Sequence, residues 1–211
     1  MPKVVPTYKA EARARIVEAA TRLFVAKGFR RTTMDDVAEA LGVSKGALYQ
    51  YYPSKVDLLR EIQAANRRMS RRWMDEALAR PGGVAASFYE SLEEVFDRWA
   101  DREEIALYYE ILGEASHDEE IRAAIRTDHR EDLKSLRRFL VELRRRGMLR
   151  ADVDLDVLAF MFIALFQGAV WDLNVGQEPD RTRRLLHAAL EQILGQRPSE
   201  PVRGRRAHAP G

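Results

Sequence analysis

Residues 157–171 read VLAFMFIALFQGAVW, an apolar run interrupted by Gln167 and Gly168 and bounded by Asp156 and Asp172. A helix that is apolar on nearly every side has to be covered on nearly every side. The run falls short of the roughly 20 residues needed to span a bilayer. It is therefore expected as a helix buried in a bundle or against a second subunit, with no membrane involved. The rest of the chain agrees with a bundle. Apolar residues recur at three- and four-residue intervals nearly everywhere, and no run alternates as a half-buried strand would. The fold class is all-α.

Glycine, proline and capping residues divide these helices. The first is expected after Thr7, with Ile16, Ala20, Leu23 and Phe24 on one face, and Gly28 closes it. Thr33 caps the short helix TMDDVAEAL, where Asp36 and the other acid of the first turn suit the helix dipole. After the turn at Gly42-Val43, Ser44 caps a third helix of two turns that Pro53 stops. Ser54 caps a fourth, which can run from Lys55 to about Arg80. Pro81-Gly82-Gly83 is the clearest break, and further helices are expected near 84–100, 102–114, 117–147, 154–175 and 179–195. Ser116 and Glu119 read as a capping box for the third of these. Beyond Arg197 the Pro/Arg/Gly-rich stretch has no periodicity and is expected to be disordered. The division is thus 1–53, a unit of three helices; 54–196, a larger helical unit; and 197–211, a basic tail.

Charge is distributed unevenly along the 211 residues. The net charge of +2 combines a basic N-terminal stretch, residues 1–55, and a basic tail with an acidic middle. A basic end on an acidic body suits a polyanionic partner at that end. No cysteine is present, which excludes disulfides, thiolate metal sites and cysteine nucleophiles. The first twenty residues lack the apolar core of a signal peptide, so a cytoplasmic location is expected.

Two short helices joined by Leu41-Gly42-Val43-Ser44 form a helix-turn-helix pattern. On the third helix, spacing sends Leu48, Tyr52 and Ala47 inward, and Lys45 and Tyr49 outward, where they can meet a major groove and its phosphates. Gly46 omits a side chain between them. Lys55, in the first turn of its helix, opposes the macrodipole by about 0.3–1 kcal/mol unless a phosphate docks there. Thr33, at another helix start, could hold a second phosphate with its hydroxyl and the following amides.

The stretch TTMDDVAEALGVSKGALYQYYPSKVDLL, with the preceding IVEAATRLFVAKGFRRTT, resembles the DNA-binding domain of TetR-type transcriptional repressors. The likeness covers about residues 10–60; beyond them only length and helical pattern agree. It implies a phosphate contact at Thr33, base and phosphate contacts at Ser44, Lys45 and Gly46, and a backbone contact at Tyr49. Gln50 and Tyr51 would be neighbouring contacts, and Lys55 would dock a phosphate. It further implies a double-stranded operator read by a homodimer formed through helices 154–175 and 179–195, with Gly168 and Ala169 allowing close approach. Burial of the first of these helices within one subunit is the alternative.

In such regulators the middle helices enclose an effector. Here they supply Phe88, Phe96, Trp99, Tyr108, Tyr109, Phe160, Phe162, Phe166 and Trp171, with Glu110, Gln167 and Asn174 as polar groups among them. That set suits a small hydrophobic or aromatic ligand. A helical DNA-binding or adaptor protein without a ligand is the competing reading. An enzyme is not expected. Glu114 and His117 have the Glu-x-x-His spacing of di-iron bundles, but the second copy that such a site needs is absent. The four histidines are scattered, no phosphate-loop or nucleophile motif occurs, and neither a metal site nor a cofactor is expected.

Overall fold

A computed structural model describes residues 6–79, 96 and 102–194. Among these every regular element is a helix: α1 (Pro6–Lys27), α2 (Met34–Leu41), α3 (Lys45–Tyr49), α4 (Lys55–Ala79), α5 (Arg102–Ala115), α6 (Glu119–Arg145), α7 (Leu155–Asn174) and α8 (Pro179–Leu194). The expected helix at 84–100, with Phe88 and Trp99, lies outside the described residues, apart from the buried Phe96.

The helix ends follow local chemistry. Thr33 and Asp36 form a reciprocal capping box: the Asp36 amide donates to the Thr33 hydroxyl at 3.2 Å, and the Thr33 amide donates to the Asp36 carboxylate at 2.7 Å. Ser44 and Ser54 cap α3 and α4 through the amides of Ala47 and Asp57. One cap differs from the expectation. α6 starts from Asp118, whose carboxylate accepts from the amides of Glu120 and Ile121, while the Ser116 hydroxyl turns back to the Leu112 carbonyl. A carboxylate placed one residue before the helix is the stronger acceptor for two free amides, so His117 stands in the turn before α6.

Two clusters of buried apolar side chains result. The head cluster joins Ile16, Ala20 and Phe24 of α1, Val37 and Ala38 of α2, Leu48 and Tyr52, and Leu58 and Leu59 of α4. It also takes in Ala115, Ile121 and Ala124, from the end of α5 and the start of α6. The body cluster is built on Phe139, Leu140 and Leu143 of α6, Leu158, Phe162 and Leu173 of α7, and Leu186 and Leu190 of α8.

Between the clusters α4 has a mostly polar middle. Between Leu59 and Ala77 no α4 residue is fully buried. Its contacts to α6 there include arginine rungs. Arg60 reaches Glu120 at 3.2 Å, Arg67 pairs with Asp128, and Arg71 donates to Ser135 Oγ at 2.9 Å. Residue numbers rise together on the two helices, so α4 and α6 run in the same direction.

The apolar run lies in α7, which has 20 residues and is long and apolar enough to cross a bilayer, so the length argument from the sequence does not hold. What places α7 in a bundle is its packing. Leu155, Leu158, Phe162, Ala169, Val170 and Leu173 are buried against the body, and Asp156 accepts a 2.7 Å hydrogen bond from Arg137. Its opposite face is apolar and bare: Val157, Met161 and Val175 are exposed, as are Phe160 at 59% and Trp171 at 54%. Gly168 lies on this face, and Leu185 of α8 is exposed too.

Candidate nucleic-acid interface

The expected inner and outer sides of α3 are those observed. Leu48 and Tyr52 are fully buried, and Tyr52 lies under the Arg13 guanidinium, 4.7 Å from its ring centroid. Ala47 is half-buried. On the other side Ser44, Lys45, Gly46, Tyr49 and Gln50 are exposed, Tyr49 at 47%, whereas Tyr51 is half-buried against the head cluster. A Cβ at Gly46 would meet nothing within 4 Å, so the fold itself does not require glycine there. Thr33 is exposed at the start of α2, its hydroxyl donating to Asp36 at 2.7 Å.

Charged groups around the two helix starts are paired. Lys27 donates to Asp36 at 2.8 Å, and this ammonium, together with Thr33, holds the Asp36 carboxyl well below the usual carboxylate range. Asp35 points the other way and pairs with Lys45, whose pKa it raises through that hydrogen bond.

Lys55, expected from the sequence to dock a phosphate, is held here by the protein's own carbonyls. Its ammonium donates to the carbonyls of Phe29, Thr32 and Arg30 at 2.7, 3.0 and 3.2 Å, and lies 4.5 Å from the Phe29 ring centroid. All three of its donors are thus committed within the protein, and burial lowers its pKa from the ordinary lysine value.

Glu110 is displaced from its expected role in the same region. Instead of lining a pocket, its carboxylate accepts from the amides of Phe29 at 3.1 Å and Arg30 at 2.8 Å. The α1–α2 connection is therefore gripped from both sides, its amides by α5 and its carbonyls by α4. Gly28 makes the grip possible. At φ +85° it adopts a left-handed conformation, and a Cβ there would stand 2.6 Å from Glu110 Oε2. Sequence spacing carries no signal for a contact across 81 residues.

The other expected effector residues among the described ones stand in several surroundings. Phe96 is buried beneath the Arg183 guanidinium at 5.0 Å, and Phe162 belongs to the body cluster. Tyr108, Tyr109 and Trp171 form an edge-to-face series with centroid separations of 5.3 and 5.9 Å. Gln167 hydrogen-bonds Tyr108, whose hydroxyl pKa burial raises. Phe166 packs half-buried against the body cluster, and Phe160 is exposed. A cleft of about 340 Å³ lies against Ile105, Leu173, Asn174, Val175 and Gly176, and among the described residues Asn174 is the expected one that lines it. No group of three or more His, Asp or Glu side chains among the described residues could hold a metal.

The fold and its exposed helix match known proteins at both ends. Residues 16–62 match the family described as bacterial regulatory proteins, tetR family. Residues 83–196 match the C-terminal domain described as tetracyclin repressor-like. An uncharacterized HTH-type transcriptional regulator of Bacillus subtilis, YfiR, is 36% identical over 100 residues, 47% of this chain and 48% of that protein. The match thus spans about half the length of that relative. The HTH-type transcriptional repressor AcnR of Corynebacterium jeikeium is 28% identical over 171 residues, covering 81% of this chain and 85% of that one. The solved structure of Salmonella enterica GusR superposes with a TM-score of 0.71 at 23% identity, over 92% of this chain and all of that one, a likeness of fold.

Proposed function

The chain belongs to the tetR family of bacterial regulatory proteins and is a helix-turn-helix transcriptional regulator, and from that premise we propose that it is a repressor that binds a palindromic operator as a homodimer and is released by a small apolar or aromatic effector. The observation that carries the DNA reading is α3. Its inner residues are locked in the head, while Lys45, Gly46, Tyr49 and Gln50 are exposed at the surface, Lys45 paired there with Asp35. Ser44 and Tyr49 supply hydroxyls for phosphate, Thr33 stands exposed at the start of α2 with its hydroxyl proton given to Asp36, and Lys45 and Gln50 supply donors for base edges.

A helix this short reads few base pairs, so two heads facing half-sites about 34–36 Å apart are needed. The bare apolar face of α7 with Leu185 of α8 suits a second copy of the chain. An effector held among α5 and α7 would act by favouring a head spacing that fits the operator poorly, and its leverage equals its differential affinity for the two states. The aromatic series of Tyr108, Tyr109 and Trp171 and the grip of Glu110 lie on these helices, which suits such coupling.

The test is selection of bound sequences from random DNA, followed by titration of the selected duplex with the wild type and with Tyr49→Phe. The expected outcome is an inverted repeat, and for Tyr49→Phe weaker binding to selected and random duplexes alike. A chain that enriches no sequence would sink the reading.

A further inference from the structure

Asp35, in the first turn of α2 and paired with Lys45 of α3, is the feature of this surface that DNA binding leaves unexplained. A carboxylate beside the recognition helix repels phosphate, and the fold does not need this one. The cap of α2 uses Asp36, which Lys27 also holds. Asp35 makes its ion pair with Lys45 at the surface, where the two side chains are 53% and 66% exposed. Exposed pairs of this kind contribute little to stability, because water and salt screen them. Asp35 adds to the fold only the small dipole stabilisation of a first-turn acid, and it opposes generic DNA affinity, so it is placed to discriminate between sequences.

The chemistry of the pair narrows what it can discriminate. Lys45 offers donors and no acceptor, and ionised Asp35 offers acceptors and no donor. In the major groove a G·C pair shows acceptors at guanine N7 and O6 and, beside them, a donor at cytosine N4. An A·T pair shows instead an acceptor, a donor and an acceptor at adenine N7, adenine N6 and thymine O4, so a carboxylate standing where cytosine N4 would be meets the O4 acceptor and, beside it, the thymine methyl. The contact between the two side chains brings donor and acceptor together, as one base-pair edge requires. We infer that Asp35 and Lys45 act as one specificity-determining unit that reads a G·C pair in each half-site, Lys45 donating to guanine and Asp35 accepting from cytosine N4. The inference rests on the regulator reading above and names residues that set which operator is bound.

The experiment repeats the selection with the full chain as wild type, Asp35→Ala, Asp35→Asn and Lys45→Ala, each first shown to melt at the wild-type temperature. The wild type should fix one G·C pair per half-site. Asp35→Ala should lose about tenfold of its discrimination at that pair and no other, while binding random duplex more tightly. Asp35→Asn, which keeps an acceptor oxygen, should retain more of the preference. Lys45→Ala should relax the same position. A wild type that selects no sequence overturns the regulator reading and the pair with it. A wild type that selects an operator, with unchanged base preferences in Asp35→Ala, overturns the pair alone.

Discussion

Phe24, Leu48 and Tyr52 in the head and Phe160 and Trp171 on α7 are all bulky apolar or aromatic residues, yet the first three are buried and the last two lie more than half in solvent. In the head, the exposed side of α3 carries hydroxyls, an ammonium, an amide and a glycine. In the body, the exposed side of α7 carries the same kind of residue as its buried side. The head is finished within one chain as far as apolar surface is concerned, and what it shows outward is polar. The body has a second apolar face that stays exposed among the described residues. The contrast assigns each surface a different chemistry of partner, a charged polymer for one and an apolar surface for the other.

The comparison can be broken most severely on α7. Phe160→Glu with Trp171→Glu should leave the helical content of the protein unchanged but weaken self-association about a thousandfold or more; sedimentation at micromolar concentration checks it. If the wild type already sediments as a monomer, the body face has some other partner. Leu48→Ala should do the reverse, costing about 3 kcal/mol of head stability with self-association intact. Hydrogen exchange resolved along the chain would show protection lost in α1–α4 and kept in α7 and α8.

The grip on the α1–α2 connection sharpens the comparison, because it shows where the head depends on the body. Glu110→Ala should cost about 2 kcal/mol, since a charged acceptor serves two amides. Gly28→Ala introduces left-handed strain and crowds the same carboxylate. The two changes together should cost about 1 kcal/mol less than their sum, as residues sharing one contact do. Strict additivity in urea unfolding would mean that Gly28 is conserving only its own backbone angle. The smallest effect belongs to the cap of α2, where Thr33→Ala should cost about 1 kcal/mol. Because the folded protein depresses the Asp36 pKa, its contribution is present above the ordinary carboxylate value near 3.9 and fades as pH falls below it. Thr33→Ala should therefore show a shallower loss of stability in acid than the wild type.

Much of this architecture was legible in the sequence because it is local. Gly28, Gly42, Pro53 and Gly147 stand where helices end, and the caps at Thr33, Ser44 and Ser54 need information from three residues only. The two sides of α3 follow from a spacing of four. What could not be read is the chemistry that arises when distant helices meet. Lys55 looked like a free cation because the carbonyls of Phe29, Arg30 and Thr32 that absorb it lie on a different element. Glu110 looked like a pocket residue because aromatic neighbours on its own helix suggested one. Asp118 displaced Ser116 as a cap because two acceptors two residues apart compete, and spacing does not rank them.

The presence of Ala115, Ile121 and Ala124 in the head cluster sets an order in time. The head's apolar residues from α1 to Leu59 leave the ribosome well before the three that complete their cluster. At roughly 5–20 residues per second, the stretch from residue 62 to residue 124 takes on the order of 3–12 s to synthesise. For that interval the nascent head exposes the side of α1 and α4 that α5 and α6 will cover, and Phe29 and Arg30 wait for their carboxylate. The DNA-binding end, although first to be made, is completed only once the middle of the chain has arrived.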